Sequence, residues 1–302
     1  MTPRRSGLKP LCRKTTVTSC RRKVISLAAA LAYVGRMKRR LTLLPLLAAL
    51  CAPAFATTQD DVLSATLLPG WIMDSGAHMA ALDLTMAPGW KTYWRSPGEA
   101  GIPPRFDWSG SKNVAAVQIH WPAPSVFDSN GMQTIGYHDR LVLPLEVRAI
   151  DPTLPVTLAV RVELGVCDDI CLPASLSLTS DLSPPGAPDD HIRAALAQRA
   201  TTASEAGLTR VACSVDPIAD GLRLTARLRL PDPGSAEVVA FETADPEVWV
   251  AEAITQREGG ELVTMTELVP PDGSPFALDR SGVTMTILSR GGAVEVIGCP
   301  AP

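Results

Sequence analysis

The sequence predicts an all-β protein: two antiparallel β-sandwich domains joined by a short helical linker and preceded by a signal peptide. Three observations carry this. Apolar and polar residues alternate with period two over long stretches, which marks strands with one buried face. Turn signals fall between those stretches, in a chain holding 27 Pro and 22 Gly. A single proline-rich break, Ser183-Pro184-Pro185-Gly186-Ala187-Pro188, has linker chemistry. With 302 residues, 46% hydrophobic and 20% charged, the chain can bury a substantial core, and disorder is excluded.

The first element is an address. Met37-Lys38-Arg39-Arg40 precedes an apolar run from Leu41 to Leu50 and then Ala54-Phe55-Ala56. That is the charged, apolar and small-x-small order of a secretory signal peptide, with cleavage expected after Ala56. Residues 1–56 are therefore read as a non-mature extension, with Met37 the expected start. A rival reading takes Arg21-Arg22 and the run Val24–Val34 as a longer signal, and another takes Cys51 as a lipid acceptor, against which bulky Leu50 argues. The segment contains twelve bases and no acid, so 16 bases face 31 acids over 57–302, a net charge of −15. An acidic body excludes nucleic acid as a natural partner. No later stretch approaches the ~20 apolar residues of a spanning helix, so the expected mature protein is exported, soluble and periplasmic.

Residues 57–186 form the first expected domain. Leu82-Asp83-Leu84-Thr85-Met86 alternates, and Val156, Leu158, Val160, Val162 and Leu164 do so over a longer run. Five of the six tryptophans (Trp71, Trp90, Trp94, Trp108, Trp121) lie here and read as core and corner residues, a partner surface being the other use for them. Residues 187–206 form the linker: Asp189–Ala203 places acids first and then Ile192, Ala195, Leu196 and Arg199 at helical spacing. Residues 207–302 form the second domain, with Leu222, Leu224, Ala226, Leu228 and Leu230 alternating with basic or polar residues and Val283–Leu288 a weaker strand. Glu258-Gly259-Gly260-Glu261 and Arg290-Gly291-Gly292-Ala293 each read as a hairpin turn.

Export changes the cysteine arithmetic. Cys12, Cys20 and Cys51 fall in the discarded segment, leaving Cys167, Cys171, Cys213 and Cys299 in an oxidising compartment. Four cysteines allow three pairings, and sequence alone does not choose among them. Cys167 and Cys171 follow directly on the strand 156–164. Fully extended, their Cα atoms would stand about 13 Å apart, whereas a disulfide needs less than about 7 Å. If they are bonded, the chain turns between them. In the chain-entropy model that small loop contributes about 2 kcal/mol and a Cys213–Cys299 loop about 4.6. The long bond would suit a structural role, joining the ends of the second domain; the short one would be more reducible. His78, His120, His138 and His191 are scattered without metal spacing and read as surface or satisfied histidines, so neither a metal site nor a cofactor is expected.

Five segments now stand in order: Trp90-Lys91-Thr92-Tyr93-Trp94-Arg95-Ser96-Pro97-Gly98, Gly101-Ile102-Pro103-Pro104, Trp121-Pro122-Ala123-Pro124, Gly136-Tyr137, and Cys167–Pro173. This series resembles the periplasmic N-terminal domain of the DsbD disulfide-reductase family, and more closely its ScsB-type relatives, whose cysteine pair has three intervening residues. The resemblance covers about 65–180 and extends loosely through the second domain. It implies an immunoglobulin-like fold and thiol–disulfide interchange of the protein-disulfide reductase type. Cys167 and Cys171 are then the catalytic pair, taking electrons from a membrane-embedded donor and passing them to oxidised periplasmic thioredoxin-fold proteins. The resemblance favours Cys171 as the first attacker. Family members commonly continue into membrane and thioredoxin-like domains; this chain stops at Pro302, so the donor is expected to act in trans. The family shields its pair with a cap loop carrying aromatics. The matching stretch Phe127–Met132 offers Phe127, with Tyr137 nearby. Asp168 and Asp169 beside the pair disfavour thiolate, which predicts a thiol that reacts only when docked. Two competing functions remain: a non-catalytic binding or chaperone-like module with a purely structural bond, and a copper-tolerance protein whose soft thiols hold Cu(I).

Overall fold

The computed structural model describes residues 57–302 except Asn130, Gly131, Asp272, Ser274 and Pro275. The expected signal peptide and its extension, 1–56, lie outside the described residues. Among those described, strands dominate and pair into four sheets that enclose two hydrophobic cores.

The first sandwich opposes a four-stranded sheet to a six-stranded one. The four-stranded sheet runs β1 (Leu63–Ile72), β2 (His78–Met86), β8 (Arg140–Ala149), β5 (Val114–Ile119). The other runs β10 (Cys171–Leu182), β9 (Val156–Cys167), β3 (Lys91–Tyr93), β7 (Met132–His138), β6 (Ser125–Ser129), with β4 (Arg105–Asp107) also paired to β9. All these pairs are antiparallel. The alternation in 156–164 becomes physical burial: Leu158, Val160, Val162 and Leu164 face the core, while Arg161 and Glu163 face out. Beyond Leu164 the pattern stops and Gly165, Val166 and Cys167 are all buried. Trp94 is 1% exposed, Trp90, Trp108 and Trp121 pack partly buried against the core, and Trp71 packs against the separate cluster of Met79, Ala81 and Ile192, fitting the core-and-corner reading.

The second sandwich pairs β11 (Thr201–Thr202), β19 (Gly292–Ile297), β18 (Thr284–Ser289) and β14 (Val238–Glu242) in one sheet. The other runs β12 (Arg210–Pro217), β13 (Leu222–Arg229), β17 (Glu261–Val269), β15 (Trp249–Val250), with β16 (Ile254–Glu258) also on β17. The hairpin at Gly259-Gly260 forms as expected: Glu258 opposes Glu261 and both glycines have positive φ, as a type I′ turn requires. The last hairpin turns one residue earlier than the glycine pair suggests, because Ser289 opposes Gly292 and leaves Arg290-Gly291 as the loop.

The expected linker behaves differently from a tether. The helix, α2, spans Asp190–Ala197 and not the whole of 189–203; an earlier four-residue turn, α1, spans Gln59–Val62. Asp189 caps α2 by accepting from the His191 and Ile192 amides. The helix ends where Thr201 and Thr202 are drawn into a parallel pairing with Val294 and Glu295, a long-range contact that local periodicity does not report. Its apolar face does not span a gap: fully buried Ile192 packs with Met79 and Ala81 on the outer face of the first sandwich. The proline-rich break is also pinned, since Pro185 accepts from the Ile72 amide and the Ala187 amide donates to Gly70. Gly186 has φ +69°, and a Cβ there would lie 2.2 Å from the Gly70 oxygen, so glycine is required.

The two sandwiches meet across a mixed interface. Ala240, Leu288 and Ala293 of the second join the core cluster of the first. Arg95 donates to both oxygens of Glu242, at 2.8 and 3.0 Å, and to Glu295 at 2.8 Å. Its guanidinium also lies over Trp94, 4.4 Å from the ring centroid. Residues 57–302 accordingly form one compact unit.

Candidate redox site

Strands β9 and β10, twelve residues each, form a single hairpin whose last opposed pair is Cys167 and Cys171. Asp168, Asp169 and Ile170 make the turn, closed by the Asp168 amide donating to Ile170 oxygen at 3.0 Å. This turn brings the Cα atoms to 4.1 Å, and the two sulfurs form a disulfide. A second disulfide joins Cys213 to Cys299.

The short disulfide is asymmetric. Cys167 is 1% exposed, whereas Cys171 is an exposed residue on the outer edge of the same hairpin. Strand β3 lies on the other side of β9, opposing Lys91 to Cys167 and Thr92 to Val166. The Thr92 hydroxyl donates to Gly165 oxygen at 2.9 Å and ties the two strands. Two residues on from Lys91, and so on the same face, buried Tyr93 directs its hydroxyl at the pair, 3.0 Å from Cys167 Sγ and 3.5 Å from Cys171 Sγ. Burial pushes the Tyr93 phenol above its ordinary value, which keeps it a proton-bearing donor. Gly165 makes room for this ring: a Cβ there would lie 3.1 Å from Tyr93 Cε2 and 3.0 Å from Ile102.

Around the tip the surface is apolar with an acidic edge. Ile170 is 54% exposed and Ile102 41%, and Asp168 and Asp169 are exposed beside them. Gly89 sits within ordinary contact range of the Asp168 carboxylate, 3.8 Å from the position of a Cβ. The Lys91 ammonium lies over the Phe127 ring, 5.3 Å from its centroid, and Phe127 meets His138 edge-on at 4.5 Å. A groove of about 670 Å³ lies between the sandwiches and is lined by Pro97, Arg105 and Trp249 among others; neither Cys167 nor Cys171 borders it.

The residues named from sequence are therefore divided. Cys167 and Cys171 meet, as do Cys213 and Cys299, and Phe127 of β6 stands beside Lys91. Tyr137, read as a neighbour of the cap, lies elsewhere: it is buried, stacked on Trp121, and its hydroxyl donates to Pro122 oxygen at 2.7 Å. A phenol so engaged is part of the core. The hydroxyl that does reach sulfur belongs to Tyr93, which sequence reading missed; the contact spans 74 residues, and only the two-residue step from Lys91 to Tyr93 hinted at a shared face. The histidines are satisfied individually, with His78 bonded to Pro69 oxygen and His120 to Glu146. Among the described residues no group of three or more His, Cys, Asp or Glu is placed to hold a metal ion. Nor is any helix among them long and apolar enough to cross a membrane.

The first β-sandwich thus carries one accessible disulfide at a hairpin tip, with its inner sulfur against a buried hydroxyl. Residues 64–182 match the family model described as thiol:disulfide interchange protein DsbD, N-terminal. The chain is also similar to the N-terminal periplasmic domain of ScsB from Proteus mirabilis, at 25% identity and a TM-score of 0.60. That similarity covers 82% of this chain and 96% of the other, so it embraces both sandwiches. No curated protein sequence matches the chain.

Proposed function

We propose that the protein is an exported thiol–disulfide exchange module that carries electrons from a separate membrane reductase to oxidised periplasmic proteins through Cys167 and Cys171. The observation that carries this reading is the asymmetry of the pair. Sulfur exchange needs in-line access to one sulfur and a leaving group that tolerates charge. Cys171 is exposed and can be attacked or attack; Cys167 is buried beside the Tyr93 hydroxyl, which can hydrogen-bond to a thiolate.

In the reducing half-cycle a donor thiolate attacks Cys171 Sγ, the Cys167–Cys171 bond breaks, and its electron pair leaves on Cys167. The donor's second thiolate then releases the donor as a disulfide, leaving both cysteines reduced. In the other half-cycle the Cys171 thiolate attacks a client disulfide, forming a mixed disulfide and a client thiolate. Cys167 resolves it, restoring the Cys167–Cys171 bond and releasing the second client thiolate. Two electrons enter the pair in the first half-cycle and leave it for the client in the second, and no cofactor is required for either step. Apolar Ile170 and Ile102 flank the exposed sulfur and suit a partner that buries a small dry patch during exchange.

The test is a Cys167→Ala variant, which removes the resolving thiol. Incubated with an oxidised exported thioredoxin-fold protein, it is expected to accumulate a reducible covalent adduct through Cys171, seen on a non-reducing gel. Absence of any adduct, together with a wild-type potential well below about −300 mV, would leave the bond structural and overturn the reading.

A further inference from the structure

We propose that the groove between the sandwiches receives an extended, basic segment of the protein that exchanges with Cys171, and that this segment adds as a strand to the edge of β14. The identity of the partner rests on the exchange reading. Strand β14 ends the order of its sheet, as β15 does of the other, so each is paired on one side only among the described residues. The groove lining includes the whole of β14, Val238–Glu242, and both residues of β15. Successive side chains of a strand leave opposite faces. Val239 and Phe241 accordingly enter the second core, while Val238 and Ala240 pack on the first. A groove that touches all five residues therefore runs along the edge of β14, where outward amides and carbonyls bond to water or to an added strand. Strand addition draws its affinity from such main-chain bonds. Trp249 of β15, 51% exposed, stands in the same groove, an aromatic of the kind enriched at interfaces.

Charge selects the occupant. Arg95 is matched by Glu242 and Glu295. Glu99, Asp245, Glu247 and Glu252 also line the groove, are exposed, and form no ion pair among the described residues. Glu99 reaches across from the first sandwich to accept from the Glu252 amide at 3.3 Å. Arg105 is the other base of the lining. This excess of carboxylates favours a strand carrying Lys or Arg. It disfavours a second copy of this chain, whose residues 57–302 carry a net charge of −15.

The groove leads to the sulfur. Pro103 and Arg105 line both it and a second cleft of about 560 Å³, whose walls include Leu164 and Pro173 of the redox hairpin. Pro173 stands two residues, about 7 Å, along β10 from Cys171. A segment seated on β14 can thus continue over Pro103 and bring its cysteine to the exposed sulfur.

The probe is a short, fluorescein-labelled, cysteine-free peptide of alternating Lys and Val, titrated into the oxidised protein at low salt and read by anisotropy. It is expected to bind, and its Glu/Val counterpart is not. Only alternate amides of an added strand face β14. N-methylating one alternate set should therefore abolish binding and methylating the other should leave it, whereas attraction by charge alone treats both sets alike. Glu247→Lys with Glu252→Lys is expected to weaken binding about tenfold, and Trp249→Ala gives a second reading of the same groove. No binding, equal loss with both methylated sets, or unchanged binding in both variants would overturn the strand-addition site while leaving adduct formation by Cys167→Ala intact. Saturating peptide is also expected to slow that adduct formation. An undiminished rate would overturn the assignment of the groove to the exchange partner. Peptide binding without any adduct would overturn the relay, and that assignment with it, and keep the groove as a site for a basic strand.

Discussion

The two disulfides place the same bond in opposite surroundings. Cys213 and Cys299 are 0% and 1% exposed, separated by 86 residues in sequence, and enclosed by backbone hydrogen bonds. The Cys213 amide donates to Pro300 oxygen, the Cys299 amide to Arg280 oxygen, and the Arg280 guanidinium donates to Cys213 oxygen. Cys167 and Cys171 are four residues apart and one of them faces solvent. Loop entropy ranks the long bond far above the short one for stability, while access ranks them the other way for reactivity. On the proposed reading the molecule would thus separate holding from exchange, one bond in each sandwich.

That separation can be broken at several points. The largest stability effect is expected from Cys213→Ala with Cys299→Ala, a loss of about 4–5 kcal/mol by denaturant unfolding. The Cys167→Ala, Cys171→Ala double variant should lose only about 2 kcal/mol by the same model while abolishing exchange; comparable losses from the two would remove the distinction. Gly165→Ala is expected next. Ile102, being exposed, can yield to the new methyl, but buried Tyr93 cannot move without opening its contact with Cys167. Overpacking of this kind costs about 1–3 kcal/mol, and the variant should also be reduced more slowly by dithiothreitol, a change a remote core substitution would not produce.

The smallest effect is a pH slope in the first sandwich. Burial holds the His78 imidazole below its ordinary value of 6.5, with the bond to Pro69 oxygen opposing this. A depressed folded value means the unfolded chain binds more protons, so the contribution is complete above 6.5 and is lost as pH falls through the folded value. Unfolding free energy should decline on acidification below pH 6.5 in the wild type, and His78→Gln should flatten that slope.

Strand content was legible because half-buried strands write their burial into alternation, as Val156–Leu164 and Leu222–Leu230 do. The pattern failed at Gly165–Cys167, where β3 and Tyr93 cover the second face as well, and that departure marks the site. The helix was legible from Asp189 and the spacing of Ile192, Ala195 and Leu196, but its end and its docking surface depended on strands far away in sequence. Cys167 and Cys171 were legible as a pair only through the family resemblance, because four cysteines allow three pairings. Tyr93 was not: nothing local distinguishes the tyrosine whose hydroxyl reaches sulfur from Tyr137, whose hydroxyl reaches a backbone carbonyl.

The pinned linker has a consequence for recognition. Pro185, Gly186 and Ala187 are bonded along β1, α2 lies flat on the first sandwich, and Arg95 joins both halves through Glu242 and Glu295. Nothing along this path behaves as a free tether, so a partner that touches both sandwiches while engaging Cys171 meets a surface already arranged. Such preorganisation spares the ordering entropy that a swinging second domain would lose on docking. On the exchange reading, the second sandwich would then be a fixed feature of the surface that a partner of Cys171 meets.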